Sequence, residues 1–365
     1  MGLCFSVHNA KASAKKRRSK RITTSSSAVG GGEGCSLWKE ENIIHEQALA
    51  AAILYQQLQS GSGRTSFDRY SFGNPRRSTS QALPRTSRSL SAHDPYMLQP
   101  VDHHLLHQET LETNHFVLVH GGGFGAWCWY KSIAFLQEYG YKVTAIDLTG
   151  SGIHSFDTNR ITSLAQYVKP LADFFEKLDV GEKVILVGHD LGGACISYAM
   201  ELFPSKVSKS VFVAAVMLTS GQSSLDIFIE KVESNDLMRQ AQVFLYDNGD
   251  GHLPTAINYD KWLSKELLFN QSSAKDVALA SVSMRSIPFS PVLEKLTLSE
   301  TKHGSVRRFY IETMEDNAMP SSVQRHMIAN SPPEQVFSLK GADHSPFFSK
   351  PQALHKLLVE ISKIP

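Results

Sequence analysis

From residue 115 onward the apolar positions fall into two rhythms. Short apolar-rich runs occupy 116–119, 142–146, 184–187, 211–216, 308–311 and 336–339. Runs of this length read as strands buried on both faces. Between them, 161–178, 194–202 and 351–361 carry apolar residues at helical spacing. Strands alternating with helices predict a mostly parallel central sheet with helices on both faces. Residues 218–305 interrupt the alternation with mixed, Gly- and Pro-containing sequence, which predicts an inserted helical cap. The globular domain is expected to span 115–365.

The first hundred residues have a different texture. They carry a net charge of +8, against −6 for the remainder of a chain whose total is +2. Residues 1–32 contain no acid, and seven Lys or Arg lie between Lys11 and Arg21. An Arg- and Ser-rich, acid-poor leader has the composition of an organelle transit peptide, so a chloroplast address is expected, with 1–95 a disordered extension. A rival reading rests on Gly2, which fits a myristoylation pattern, and on Cys4 beside it. Two acyl chains and the basic cluster would bring the N-terminus to a membrane. Residues 41–59 have the composition of a short helix. His103, His104 and His107 read as linker. The near-neutral total charge gives no reason to expect a nucleic-acid partner.

The chemistry concentrates around residue 190. The run Val184-Ile185-Leu186-Val187 leads into Gly188-His189-Asp190-Leu191-Gly192-Gly193, and a helical pattern follows. Strand, Gly-x-nucleophile-x-Gly and helix together form a nucleophile elbow, a turn too tight for side chains at its glycines. Asp190 occupies the nucleophile position. Asp316 lies just beyond the strand ending near Ile311, and His344 just beyond the strand at 336–339. The order nucleophile, acid, histidine along the chain, at three strand ends, predicts an α/β-hydrolase fold with these residues as the catalytic set. Asp343 is a rival acid partner for His344. The glycine run Gly121-Gly122-Gly123 follows the first strand, so the N–H groups of Gly122 and Leu191 are expected to form an oxyanion hole.

Four motifs resemble the plant methylesterase family, α/β-hydrolases related to hydroxynitrile lyases. They are FVLVHGGGFGAWCWYK from Phe116, the elbow segment, residues 310–320, and GADHSPFFSKP from Gly341. The resemblance covers roughly 115–365, and the basic N-terminus resembles the chloroplast-type subgroup. It implies hydrolysis of methyl esters of small hormone-like acids, such as methyl indole-3-acetate, methyl jasmonate or methyl salicylate. The related lyases place Lys directly after the triad His; Ser345 stands there instead, which argues against cyanohydrin cleavage.

Asp190 departs from the family's Ser. A carboxylate has no proton to surrender and is a weak nucleophile toward an acyl carbon, so weak or absent esterase activity is one expectation. Three readings follow: a methylesterase, an Asp-nucleophile hydrolase of the epoxide hydrolase type, or a non-catalytic binder of small ligands. Epoxide opening would need cap hydroxyls, for which Tyr246 and Tyr259 are available. Phe124, Leu191, Leu218, Phe228 and Phe244 are expected to line the substrate pocket. No metal or organic cofactor is implied, because the chain has neither ligand-spaced His/Cys clusters nor a dinucleotide fingerprint.

Overall fold

The computed structural model describes residues 112–229, 236–249 and 251–365. The extension at 1–95, the helix expected at 41–59 and the acylation sites lie outside the described residues.

Six parallel strands form the central sheet: β1 (His115–Val119), β2 (Lys142–Ile146), β3 (Val184–His189), β4 (Val207–Val213), then β8 (Arg307–Thr313) and β9 (Gln335–Leu339) after the cap. Their spatial order is β2-β1-β3-β4-β8-β9. β3 therefore lies at the centre, next to β1, where the strand order reverses. In open α/β sheets that switch point opens a crevice at the carboxyl ends of the strands. β1, β3 and β4 are buried along their whole length, the consequence of helices on both faces.

Those helices are α1 (Tyr130–Glu138), α2 (Leu164–Lys177), α3 (Gly192–Leu202), and, after the cap, α9 (Ser321–Asn330), α10 (Pro346–Ser349) and α11 (Pro351–Lys363). α2 is started by Ser163, whose hydroxyl accepts from the Gln166 N–H, and buries Tyr167, Val168, Leu171 and Phe175 against the sheet. On the other face α11 buries Leu354, Leu358 and Ile361 with Phe116, Leu118 and Ile185.

The expected strand at 211–216 is displaced. β4 begins at Val207, because Ser208, Lys209 and Ser210 are buried with partners. Ser208 donates to Glu112, Lys209 Nζ to the Ser362 carbonyl at 3.0 Å, and Ser210 to the Arg307 carbonyl. It ends at Val213, because Ala214 turns into the left-handed region at φ 43°.

The cap also differs from the helical insertion expected. It holds α4 (Ser224–Ile229), α5 (Asp236–Ala241), α6 (Leu263–Leu268), α7 (Ala274–Ser283) and α8 (Phe289–Leu293). It also contains an antiparallel sheet of β5 (Gln242–Leu245), β6 (Ala256–Tyr259) and β7 (Ile287–Pro288). Strands of two to four residues are too short to show a period of two. The cap is tied to the body by Asp276, which is buried and accepts from Tyr130 Oη at 2.8 Å and Lys131 Nζ at 2.7 Å.

Candidate active site

β3 delivers its last residue into a sharp turn. Asp190 has φ 49°, a left-handed conformation costing about 1–3 kcal/mol for a residue with a Cβ. Its own carbonyl steadies the turn by accepting the N–H groups of Gly193 and Val216, each at 3.0 Å. Neighbouring chain leaves no room for substituents. A Cβ on Gly192 would stand 2.6 Å from the His120 carbonyl oxygen, and one on Gly193 only 2.0 Å from that of Val216. Helix α3 starts at Gly192, so the Asp190 carboxylate sits at a positive helix end, which favours its charge.

His344 and Asp316 arrive from the loops after β9 and β8. His344 Nδ1 lies 2.9 Å from Asp316 Oδ2. Asp316 is anchored through the Ala318 and Met319 N–H groups on Oδ1, at 2.9 and 2.7 Å, and the Thr313 hydroxyl on Oδ2. Since Asp316 accepts from Nδ1–H, Nε2 faces outward, 3.7 Å from Asp190 Oδ1. The structure thus brings together the three residues expected from three strand ends. Asp343, the rival acid, accepts instead from the Gln271 and Ser345 N–H groups and the Ser272 hydroxyl.

The charges follow from this geometry. Burial lowers the proton affinity of His344, but Asp316, with Asp190 and Asp343 near it, overrides that effect and raises its pKa to about 9. At neutral pH His344 is therefore an imidazolium between two carboxylates. Burial pushes the Asp190 carboxyl upward, against the pull of His344 and of the Leu191 and Gly122 N–H groups. The charge of Asp316 adds to the upward push, so the net shift is upward even though the N–H donors and the His344 cation favour the ionised form.

The oxyanion hole holds a further feature. The Gly122 N–H donates to Asp190 Oδ2 at 2.8 Å, and the neighbouring Leu191 N–H pulls the same carboxyl toward its ionised form. A donor expected to face a substrate, the Gly122 N–H, thus faces the side chain at the nucleophile position. The loop carrying Gly122 is braced by buried His120. Its Nδ1–H donates to the Gly121 carbonyl at 2.7 Å, and its Nε2 accepts the Leu148 N–H at 3.1 Å. These partners fix one neutral tautomer, and burial, which lowers its proton affinity, keeps it neutral.

The residues expected to line the pocket separate into two groups. Leu191 and Leu218 are buried in one apolar cluster, with Phe228 and Phe244 packed against it. Phe124 belongs to the other, enclosed by Trp127, His189, Phe269 and Phe347. Tyr259 touches both clusters. Its hydroxyl is held protonated by burial and by the charges of Asp190 and Asp316, which places this cap tyrosine within their field.

Two positioning residues escape a reading of the sequence. His189 Nε2–H donates to the His344 carbonyl at 2.7 Å, linking the elbow to the histidine loop. Gln324 on α9 accepts the Thr313 N–H at 3.1 Å and donates to the Thr313 and Met319 carbonyls at 3.0 and 2.7 Å. It thereby closes both ends of the loop bearing Asp316. A polar residue sharing the buried helix face with Val323 and Met327 was the one available signal.

The sheet, the elbow and the three side chains meeting above it define a hydrolase of the α/β type. The model of the alpha/beta hydrolase family matches residues 116–357. A relative from Arabidopsis thaliana named "Putative methylesterase 11, chloroplastic" is 69% identical, over 77% of this chain and 73% of its own. Methyl jasmonate esterase 1 of Vitis vinifera is 39% identical, over 68% of this chain and 96% of its own. A crystal structure of a methylesterase from Arabidopsis superposes with a TM-score of 0.62 at 33% identity, covering 69% of this chain and 99% of that one. The chain belongs to the α/β hydrolase family and, within it, to the plant methylesterases.

Proposed function

We propose that this protein hydrolyses methyl esters of small carboxylic acids, with methyl jasmonate, methyl indole-3-acetate and methyl salicylate as the substrate class, in the chloroplast. The observation that carries the reading is the assembled set: Asp190 at the elbow, His344 at 3.7 Å and Asp316 at 2.9 Å behind it. The relatives named as esterases of this kind support the substrate class. Their chloroplastic naming supports the compartment, and the acid-poor N-terminus agrees with it. Leu218, Phe228 and Phe244 would receive the apolar part of the acid. The ester carbon would sit between Asp190 and His344.

The test is release of free acid from each of the three esters by the full chain. Turnover should fall at least about 100-fold in Asp190→Asn and in His344→Gln. No acid from any of the three would overturn the proposal.

One observation favours a second reading. A carboxylate already held by hole donors is arranged for displacement at sp³ carbon, the chemistry of Asp-nucleophile hydrolases that open epoxides. Tyr259, whose hydroxyl lies in the field of Asp190 and Asp316, is the available proton donor. Turnover of styrene oxide that is lost in both Asp190→Asn and Tyr259→Phe would select this reading.

A further inference from the structure

The occupied hole constrains how a methyl ester can be cleaved at all. Attack on the acyl carbon places negative charge on the substrate's carbonyl oxygen, which must then find donors. The Gly122 N–H, 2.8 Å from Asp190 Oδ2, is already engaged by that carboxylate. Each hole donor withheld from the transition state costs about 10²–10³ in rate. Attack on the methyl carbon generates no such oxyanion. There the charge passes from Asp190 to the departing carboxylate, beside the His344 cation.

We propose that Asp190 cleaves its ester at the alkyl–oxygen bond, taking the methyl group onto Oδ1 and releasing the acid with both of its own oxygens. This rests on the methyl-ester reading above and specifies its mechanism. In the first step an Oδ1 lone pair forms the O–CH₃ bond while the bond between that carbon and the ester oxygen breaks. Methyl is the least hindered sp³ carbon for such an in-line displacement. The leaving group departs as the carboxylate, and His344, no longer facing the Asp190 charge, gives its proton to solvent.

Asp190 is now a neutral methyl ester, so His344 has lost one of the anions that held its proton, and its neutral form can act as base. In the second step it removes a proton from water, which attacks Asp190 Cγ. The oxyanion that forms is Oδ2, already at 2.8 Å from the Gly122 N–H. Collapse expels the methoxy group, which recovers the proton from His344 as methanol, and the proton left on the new Asp190 carboxyl passes to His344, restoring the starting pair. The sum is ester plus water giving acid plus methanol, with no other reactant. The hole thus stabilises the hydrolysis of the enzyme's own ester.

The test uses each of the three methyl esters labelled with ¹⁸O in the methoxy oxygen, incubated with the full chain. Alkyl–oxygen cleavage retains the label in the acid, whereas acyl attack by water or by Asp190 sends it to methanol. In His344→Gln the second step stalls, and the peptide containing Asp190 should gain the mass of one methylene, about 14 Da. Label retained in the acid together with that adduct supports the proposal. Label in methanol overturns it and leaves methyl ester hydrolysis standing.

If no ester is cleaved, His344→Gln is exposed to methyl 4-nitrobenzenesulfonate, which offers the same carbon with a faster leaving group. Methylation at Asp190 ahead of Asp316 and Asp343 then supports the alkyl-accepting role, while the ester reading fails. Its absence overturns both.

Discussion

Gly121 and Asp190 are in contact so close that a Cβ on Gly121 would stand 2.6 Å from Asp190 Cβ and 2.7 Å from His189 Nδ1. The elbow side chain therefore rests directly on the backbone of the loop after β1. Gly121→Ala should shift that loop and move the Gly122 N–H away from Oδ2. Overpacking of this kind costs about 1–3 kcal/mol. The expected result is a lowered denaturation midpoint and at least a tenfold loss of turnover, on the order of one hydrogen bond misplaced. Unchanged stability and turnover would mean the contact relaxes freely.

The charge state of His344 sets a pH dependence. Its folded pKa of about 9 lies above the ordinary 6.5. The folded state therefore binds the proton more tightly than the unfolded chain. The stabilisation, on the order of 3 kcal/mol, is complete below pH 6.5 and fades as the pH rises through 9. Imidazole titration by NMR should give a midpoint near 9 in the native protein, and a lower one in Asp316→Asn. A native midpoint at or below 6.5 would contradict the ion triad.

Replacing the elbow carboxylate should change the class of ester attacked. Asp190→Ser frees the Gly122 N–H and removes an anion from His344, whose pKa must fall. Both changes favour acyl attack by the serine hydroxyl. Hydrolysis of p-nitrophenyl acetate should rise at least about tenfold over the native chain. An equal or faster native rate would show that Asp190 does not block the hole.

Gln324→Leu keeps the side-chain volume but leaves the Thr313 N–H and the Met319 carbonyl without their partner. Buried groups stranded in this way cost about 1–3 kcal/mol each. The loop bearing Asp316 should loosen, lowering kcat about tenfold with KM little changed, and lowering the His344 midpoint. Gln324→Glu retains an acceptor for the Thr313 N–H and should recover part of kcat. A loss of stability with an unaltered His344 titration would assign Gln324 to folding alone.

How far the sequence discloses this arrangement depends on the residue. The elbow is visible because the apolar run 184–187 meets glycines at 188 and 192, a combination that few other local structures require. Asp316 and His344 become legible only through the elbow, which makes the ends of later strands informative. Ser208, Lys209 and Ser210 conceal the start of β4, since their partners Glu112, Ser362 and Arg307 are distant in the chain. The filled hole could not be read in advance. Only the left-handed turn at Asp190 and the closeness of Gly122 direct the carboxylate there.

Asp343, set aside as a triad member, has a mechanical consequence. It gathers two donors from the cap, the Gln271 N–H and the Ser272 hydroxyl, onto the residue that immediately precedes His344. An outward swing of the cap at this end would strand a buried carboxylate and drag the imidazole with it. The lid is thus latched where the proton is handled.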